Sequence, residues 1–276
     1  LVVSVMRLAS KKVLVHDMKC IETLARVNVL CVDKTGTITE NTMEVNGEIP
    51  MDGYDSQSMA PLKQIISDFA SAMSSDNITM KAMKDYFNKP SGRKAVSVSP
   101  FSSQFKYSGA AFEDGSYVLG APEFVLREDY DNYREQIEQY SSEGYRVLVF
   151  GIYDGVIDGK ALTGKVTPLG LVFLSNPIRK EAPETFKYFE NQGVEIKVIS
   201  GDNPVTVSQV ALQAGIANAD NYIDASTLTT DEAIEDAVLR YTVFGRVTPD
   251  QKRKFVRALK KAGRTVAMTG EGVNDV

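Results

Sequence analysis

Three stretches of this sequence share one design, and together they leave few folds open: "VNVLCVDKTGT" (27–37), "VEIKVISGDNP" (194–204) and "RTVAMTGEGVND" (264–275). Each is an apolar run rich in Val and Ile that switches abruptly to small and acidic residues. Continuous rather than alternating apolar character marks a strand buried on both faces, which belongs in a parallel sheet covered by helices on either side. The intervening segments supply such helices. "IRKEAPETFKYFENQG" (178–193) sets Phe186 and Phe189 on one face and ends at Gly193. "DNPVTVSQVALQAG" (202–215) has Asn203 as N-cap, Pro204 at the first helical position and Gly215 as stop. "TPDQKRKFVRALKKAG" (248–263) starts on Thr248 and Pro249 and stops at Gly263. Strands alternating with helices predict an α/β, doubly wound parallel sheet.

Between residues 45 and 173 the texture changes, and an inserted α+β domain on an antiparallel sheet is expected there. Residues 1–44 and 174–276 then form the two parts of the parallel-sheet domain. Residues 61–73 and 79–87 have helical spacing, with Ile65, Phe69 and Met73 on one stripe. "YSGAAFEDGSYVLGAPEFVL" (107–126) reads as a hairpin turning at Asp114-Gly115 with positive φ. A helix across 131–144, the strand "YRVLVFGIY" and the turn "DGVIDG" follow.

In an open parallel sheet, ligands bind beyond the carboxyl ends of the strands. That geometry gathers Asp33, Asp202, Glu271 and Asp275, the hydroxyls of Thr35, Thr37 and Ser200, and the amides around Gly36, Gly201 and Gly272. Crowded carboxylates repel one another unless a cation sits among them, and oxygen donors of this kind suit Mg²⁺. Loop amides with small hydroxyls suit a phosphate. A carboxylate beside both can attack phosphorus to form an acyl phosphate, and Asp33, which ends its strand, is the candidate. A single acidic turn is ordinarily a solvated loop or a helix cap; three at strand ends argue for a site.

Composition narrows the alternatives. With 276 residues, 43% of them apolar, the chain has material for a real core. A formal charge of -5 and no evident basic patch set aside nucleic acid and anionic membrane surfaces as partners. Cys20 and Cys31 lie in no CxxC and the single histidine is His16, so neither a zinc site nor a disulfide framework is expected, in keeping with a reducing cytosol. No apolar run approaches the ~18–20 residues that span a bilayer, and the start has no cleavage-site pattern; the chain as given is read as soluble.

"DKTGTIT" (33–39) resembles the phosphorylation signature of P-type cation-transporting ATPases, members of the haloacid dehalogenase superfamily. Further signatures resembling theirs follow in order: "PFSSQFK", "LGAPE", "SNPIR", "ISGDN", "FGRVTPDQK" and "TGEGVND". The resemblance spans nearly the whole chain. It implies a catalytic fragment, lacking the membrane helices and the actuator domain, that sits on the cytoplasmic side of a membrane and drives movement of a cation whose ligands lie elsewhere. By the family pattern, Asp33 accepts the γ-phosphoryl group of ATP beside Lys34. Asp33, the Thr35 carbonyl and Glu271 hold Mg²⁺, with Asn274 and Asp275 in support. Lys252 neutralises charge, and Ser200, Gly201 and Asp202 lie beside the phosphate. Phe101 would stack on adenine, Lys106, Arg146 and Arg246 would approach the nucleotide, and Gly120 would let the backbone come close. The motifs lean toward the Ca²⁺-pump-like branch.

Three positions depart from that pattern. Glu271 stands where the family has Asp, and its extra methylene is expected to weaken Mg²⁺ binding, because that ion demands near-octahedral geometry at roughly 2.0–2.1 Å. Leu119 stands where many relatives have lysine, and Asn176 where they have an acidic residue. A nucleotide-binding module impaired in catalysis, and a haloacid dehalogenase-type phosphatase, remain as alternatives. The phosphatase normally carries a second Asp two residues after its nucleophile as acid and base; here that residue is Thr35.

Overall fold

The computed structural model describes residues 2–270. Residue contacts divide the chain into two compact units, Leu1–Glu40 with Ile178–Val276, and Asn41–Pro177. In chain order the first unit begins with helices α1 (Val2–Ser10) and α2 (Lys19–Leu24), neither of which has a buried residue. Strand β1 (Val29–Val32) follows, with Val29, Cys31 and Val32 essentially inaccessible to solvent.

The second unit opens with β2 (Glu44–Pro50), α3 (Leu62–Ala72), α4 (Ile78–Tyr86) and β3 (Ser97–Ser99). It continues through β4 (Tyr107–Phe112), β5 (Gly115–Gly120), α5 (Pro122–Leu126), α6 (Arg134–Ser142), β6 (Arg146–Tyr153) and β7 (Val166–Ser175). Its six strands form an antiparallel sheet in the order β2-β7-β6-β5-β4-β3. Alternate residues enter two cores. Leu148 and Phe150 pack with Ile65, Phe69 and Met83 of α3 and α4, whereas Val147 and Val149 pack with Val125 and Ile137 of α5 and α6. The first core also holds Asp68, 1% exposed, whose carboxylate accepts from the Ser91 amide (2.6 Å), the Ser91 hydroxyl (2.7 Å) and Arg93 Nε (3.0 Å). A buried charge needs such partners, and here they tie the 88–96 segment across α3.

Two details differ from the sequence reading. The hairpin turns at Glu113-Asp114, with Phe112 opposite Gly115, so the glycine with positive φ is the first residue of β5 and not part of the two-residue loop. Glu44 is paired with Ser175, and this strand pairing carries both ends of the sheet past the expected boundaries at 44/45 and 173/174. The contact division falls instead at 40/41 and 177/178.

The returning chain completes the first unit with α7 (Ala182–Asn191), β8 (Glu195–Ile199), α8 (Pro204–Gln213) and β9 (Tyr222–Asp224). Then come α9 (Asp231–Arg240), β10 (Val243–Gly245), α10 (Pro249–Lys261) and β11 (Val266–Met268). The sheet is wholly parallel, in the order β11-β1-β8-β10-β9. Val32, Ile196 and Val198 face α7 and α8, while Val29, Cys31 and Ile199 face α9 and α10, which is the doubly wound arrangement. Asn203 caps α8 through the Val205 amide, and Thr248 with Gln251 forms a reciprocal capping box on α10. Lys197 lies inside the sheet at 2% exposure because its ammonium meets the Tyr241 carbonyl at 2.7 Å and Glu195 at 3.0 Å.

α10 also corrects the expectation of no basic patch. It carries Lys252, Arg253, Lys254, Arg257, Lys260 and Lys261, a concentration that whole-chain composition averages away. The acidic α9 answers part of it, through Lys254 with Asp231 at 3.4 Å and Lys261 with Glu235 at 2.7 Å. No helix among the described residues is long and apolar enough to cross a membrane.

Candidate active site

Parallel strands end on one edge of the sheet, so the loops after β1, β8, β10 and β11 meet there. β1 delivers Asp33 in extended conformation, and a wide turn over 34–38 follows at once. Within it Thr35 (φ -75°, ψ 126°) and Gly36 (φ 81°, ψ -10°) have the dihedrals of a type II turn, whose third position needs positive φ and therefore glycine. Asp33 Oδ1 accepts from the Lys34 amide at 2.7 Å, and Oδ2 accepts from Lys252 Nζ at 3.2 Å. The Lys34 side chain, 5% exposed, pairs with the Asp202 carboxylate. Each of the two carboxylates thus has one ammonium group as its partner, which offsets charge at both.

The β8 and β10 loops are knitted together by backbone. The Arg246 amide donates to Asp202 O at 2.7 Å, and the Val247 amide to Ser200 O at 3.0 Å. A Cβ on Gly245 would lie 2.3 Å from Pro204 Cα, so only glycine lets the end of β10 approach the start of α8 this closely. Ser200 is buried, its hydroxyl accepting from the Asp202 amide at 3.2 Å. Gly201 lies between them, exposed. Arg246 takes a left-handed φ of 52°, and its guanidinium is 2.5 Å from Asp224 Oδ2. The hydroxyl of Ser226 chiefly, with the Ser226 amide and Arg246, holds the Asp224 carboxyl below its ordinary range.

Two contributors were missed in the sequence. Thr269, after β11, accepts the Asp33 amide at 3.3 Å and lies 3.4 Å from the Thr37 hydroxyl. Arg179 donates through Nε (3.2 Å) and Nη2 (2.7 Å) to the Gly36 carbonyl. Both sit inside quoted motifs, Thr269 in "TGEGVND" and Arg179 in "SNPIR", and were within reach of the reading; that Arg179 bonds a backbone carbonyl is what no residue-type pattern reveals. Glu271, Asn274 and Asp275 lie outside the described residues. Asp33 and the Thr35 carbonyl are hard oxygen donors, and the adjacent Cys31 is turned into the α9/α10 core, so the donors present fit Mg²⁺ and not a thiophilic metal.

The second unit's candidates are held differently. Phe101 is 42% exposed. Lys106 is exposed at φ 56°, its amide donating to Ser102 O (2.8 Å) and its carbonyl accepting from Ala121 (3.0 Å). Gly120 has a reason inside the fold: a Cβ there would lie 2.3 Å from Lys106 O and 2.7 Å from Tyr107 Cβ. Arg146 begins β6 exposed, 3.4 Å from the Thr79 hydroxyl. Leu119 is a core residue, 3% exposed among the side chains of α3 and α4.

Comparison with known proteins gives the family. The chain is 42% identical over 276 residues to "Calcium-transporting ATPase CtpE" of Mycobacterium bovis, an overlap of 99% of this chain and 34% of that protein. The protein of the same name from Mycolicibacterium smegmatis is 41% identical over 276 residues, with the same coverage. "Calcium-transporting ATPase type 2C member 2" of Homo sapiens is 29% identical over 344 residues, 100% of this chain and 35% of that protein. The chain therefore spans about a third of the length of the curated relatives it matches. Residues 27–276 match the family model described as haloacid dehalogenase-like hydrolase, and the chain belongs to that family.

Proposed function

We propose that this chain is the phosphorylation and nucleotide-binding portion of an ATP-driven cation pump. In this reading the parallel-sheet unit is the phosphorylation domain and the inserted unit the nucleotide-binding domain, both on the cytoplasmic side of a membrane spanned by other parts of the protein. The relatives' names favour calcium as the transported ion. The observation that carries the reading is the setting of Asp33. Its carboxylate ends a central parallel strand, is oriented by the Lys34 amide and Lys252, and has a threonine, not an aspartate, two residues on.

An Asp33 oxygen attacks the γ-phosphorus of ATP; the new P–O bond forms as the bond to the β-γ bridging oxygen breaks, and that electron pair leaves with ADP. Lys252 neutralises the charge that Asp33 brings toward the phosphoryl group, and the pair of buried Lys34 with exposed Asp202 fixes the neighbouring loop before reaction. Asp33 and the Thr35 carbonyl, with Glu271 and Asp275 by the family pattern, would hold Mg²⁺, whose charge would shield the phosphate oxygens. Thr35 offers no carboxylate to activate water, so the acyl phosphate outlives its formation. That lifetime is what coupling to a membrane transport cycle needs.

The test is ATP labelled at the γ-phosphate. The expected result is one acid-stable, hydroxylamine-labile label per chain, mapping to Asp33 and abolished in Asp33→Asn. Rapid turnover of small phosphate esters with no accumulating label would replace this reading with a phosphatase.

A further inference from the structure

Arg179 is a partly buried cation that no step above uses. It is the second residue after the chain returns to the parallel-sheet unit. There Ile178 bridges Thr39 in antiparallel fashion, and the Arg179 amide donates to Ile38 O at 3.0 Å, so the returning chain is zipped alongside residues 38–39. From this anchor the guanidinium reaches back and places two N–H groups on one oxygen, the carbonyl of Gly36, at 3.2 and 2.7 Å. Gly36 is buried, so its carbonyl has no ready access to water.

The consequence lies in the turn. Its base is closed by Thr39, whose amide and hydroxyl both donate to Lys34 O, at 3.0 and 3.1 Å. Its far side is closed by Arg179. Between the two clamps sits the left-handed Gly36, which by itself could swing through several conformations. The same peptide run presents the Lys34 amide to Asp33 Oδ1 and directs the Lys34 side chain to Asp202. The geometry points to Arg179 as a positioning residue for the nucleophile: it touches no reacting atom, and by locking Gly36 it fixes the aim of the Asp33 carboxylate. Lysine cannot replace it, because a single ammonium on a flexible stem lacks the planar fork that donates twice to one oxygen.

The inference rests on the reading of Asp33 as phosphoryl acceptor, and its test keeps the two apart. Arg179→Lys and Arg179→Met are compared with the unaltered chain in two measurements. In the first, the rate of label formation at saturating ATP falls on the order of 10²-fold in both variants, while the ATP concentration for half-maximal labelling stays within about 2-fold. In the second, hydrogen exchange of amides 34–39 accelerates at least about 10-fold while β8 and α8 keep their protection. A wild-type labelling rate in either variant, or unchanged exchange over 34–39 in Arg179→Met, overturns the proposal. If the unaltered chain takes no label at all, the proposed function falls, and the exchange measurement alone decides whether Arg179 holds the turn.

Discussion

The two units present their candidate residues in opposite ways. In the parallel-sheet unit Asp33, Lys34, Ser200, Asp202 and Lys252 are held by amides and by each other before any ligand arrives. In the antiparallel unit Phe101, Lys106 and Arg146 stand exposed, and the strongly bonded polar groups are structural, such as Asp68 on its strap. The topology explains the contrast. Parallel strands all end on one edge, and their loops must meet there; an antiparallel sheet offers faces, which helices cover, and loops divided between two edges. Preorganised groups suit chemistry and exposed ones suit recognition, so substitutions in the first unit should lower rate and those in the second should lower affinity.

Lys252→Met gives the largest effect expected. The rate of Asp33 labelling at saturating ATP should fall on the order of 10²-fold or more, read by rapid quench, with nucleotide affinity little changed. Phe101→Ala tests the other half of the contrast. The ATP concentration for half-maximal labelling should rise about 10-fold, as expected for loss of one stacked base, while the saturated rate holds. A fall in that saturated rate would break the division between chemistry and recognition. The smallest effect concerns the floor beneath the site. Burial pushes the Cys31 thiol from its ordinary value of 9.0 up to about 12, more than nearby Lys197 lowers it. Its folded pKa is raised, so its contribution to stability is intact below about pH 9 and is lost as pH climbs toward 12. Cys31 should therefore resist alkylation at pH 8 in the native chain while the partly exposed Cys20 reacts.

How much of this was legible depended on whether the signal was carried by residue type. β1, β8 and β11 announce themselves through apolar runs that end in small and acidic residues, and the caps Asn203 and Thr248 through their own side chains. β9 and β10, three residues each, sit in no long apolar run; β10 forms on the template of β8, and β9 on that of β10. The hairpin slipped by one residue because Asp-Gly favours positive φ without fixing which residue is paired. Gly120, expected to let the backbone come close to a nucleotide, also has a packing reason that the sequence did not show: a Cβ there would lie 2.3 Å from Lys106 O and 2.7 Å from Tyr107 Cβ. Arg179 stood within the quoted "SNPIR", but its contact was not legible, because the partner is a backbone carbonyl 143 positions away.

The pairing of Glu44 with Ser175 also bears on how the molecule assembles. Val29 of β1 must find Glu195 of β8 across the whole inserted stretch, and closing so long a loop carries an entropic penalty that grows with the logarithm of its length. Once β2 and β7 are zipped, the two crossings emerge side by side, and the loop still to be closed shrinks from about 165 residues to about 35. The order of events then favours the antiparallel sheet first, with β1 recruited last into a frame whose ends are already neighbours.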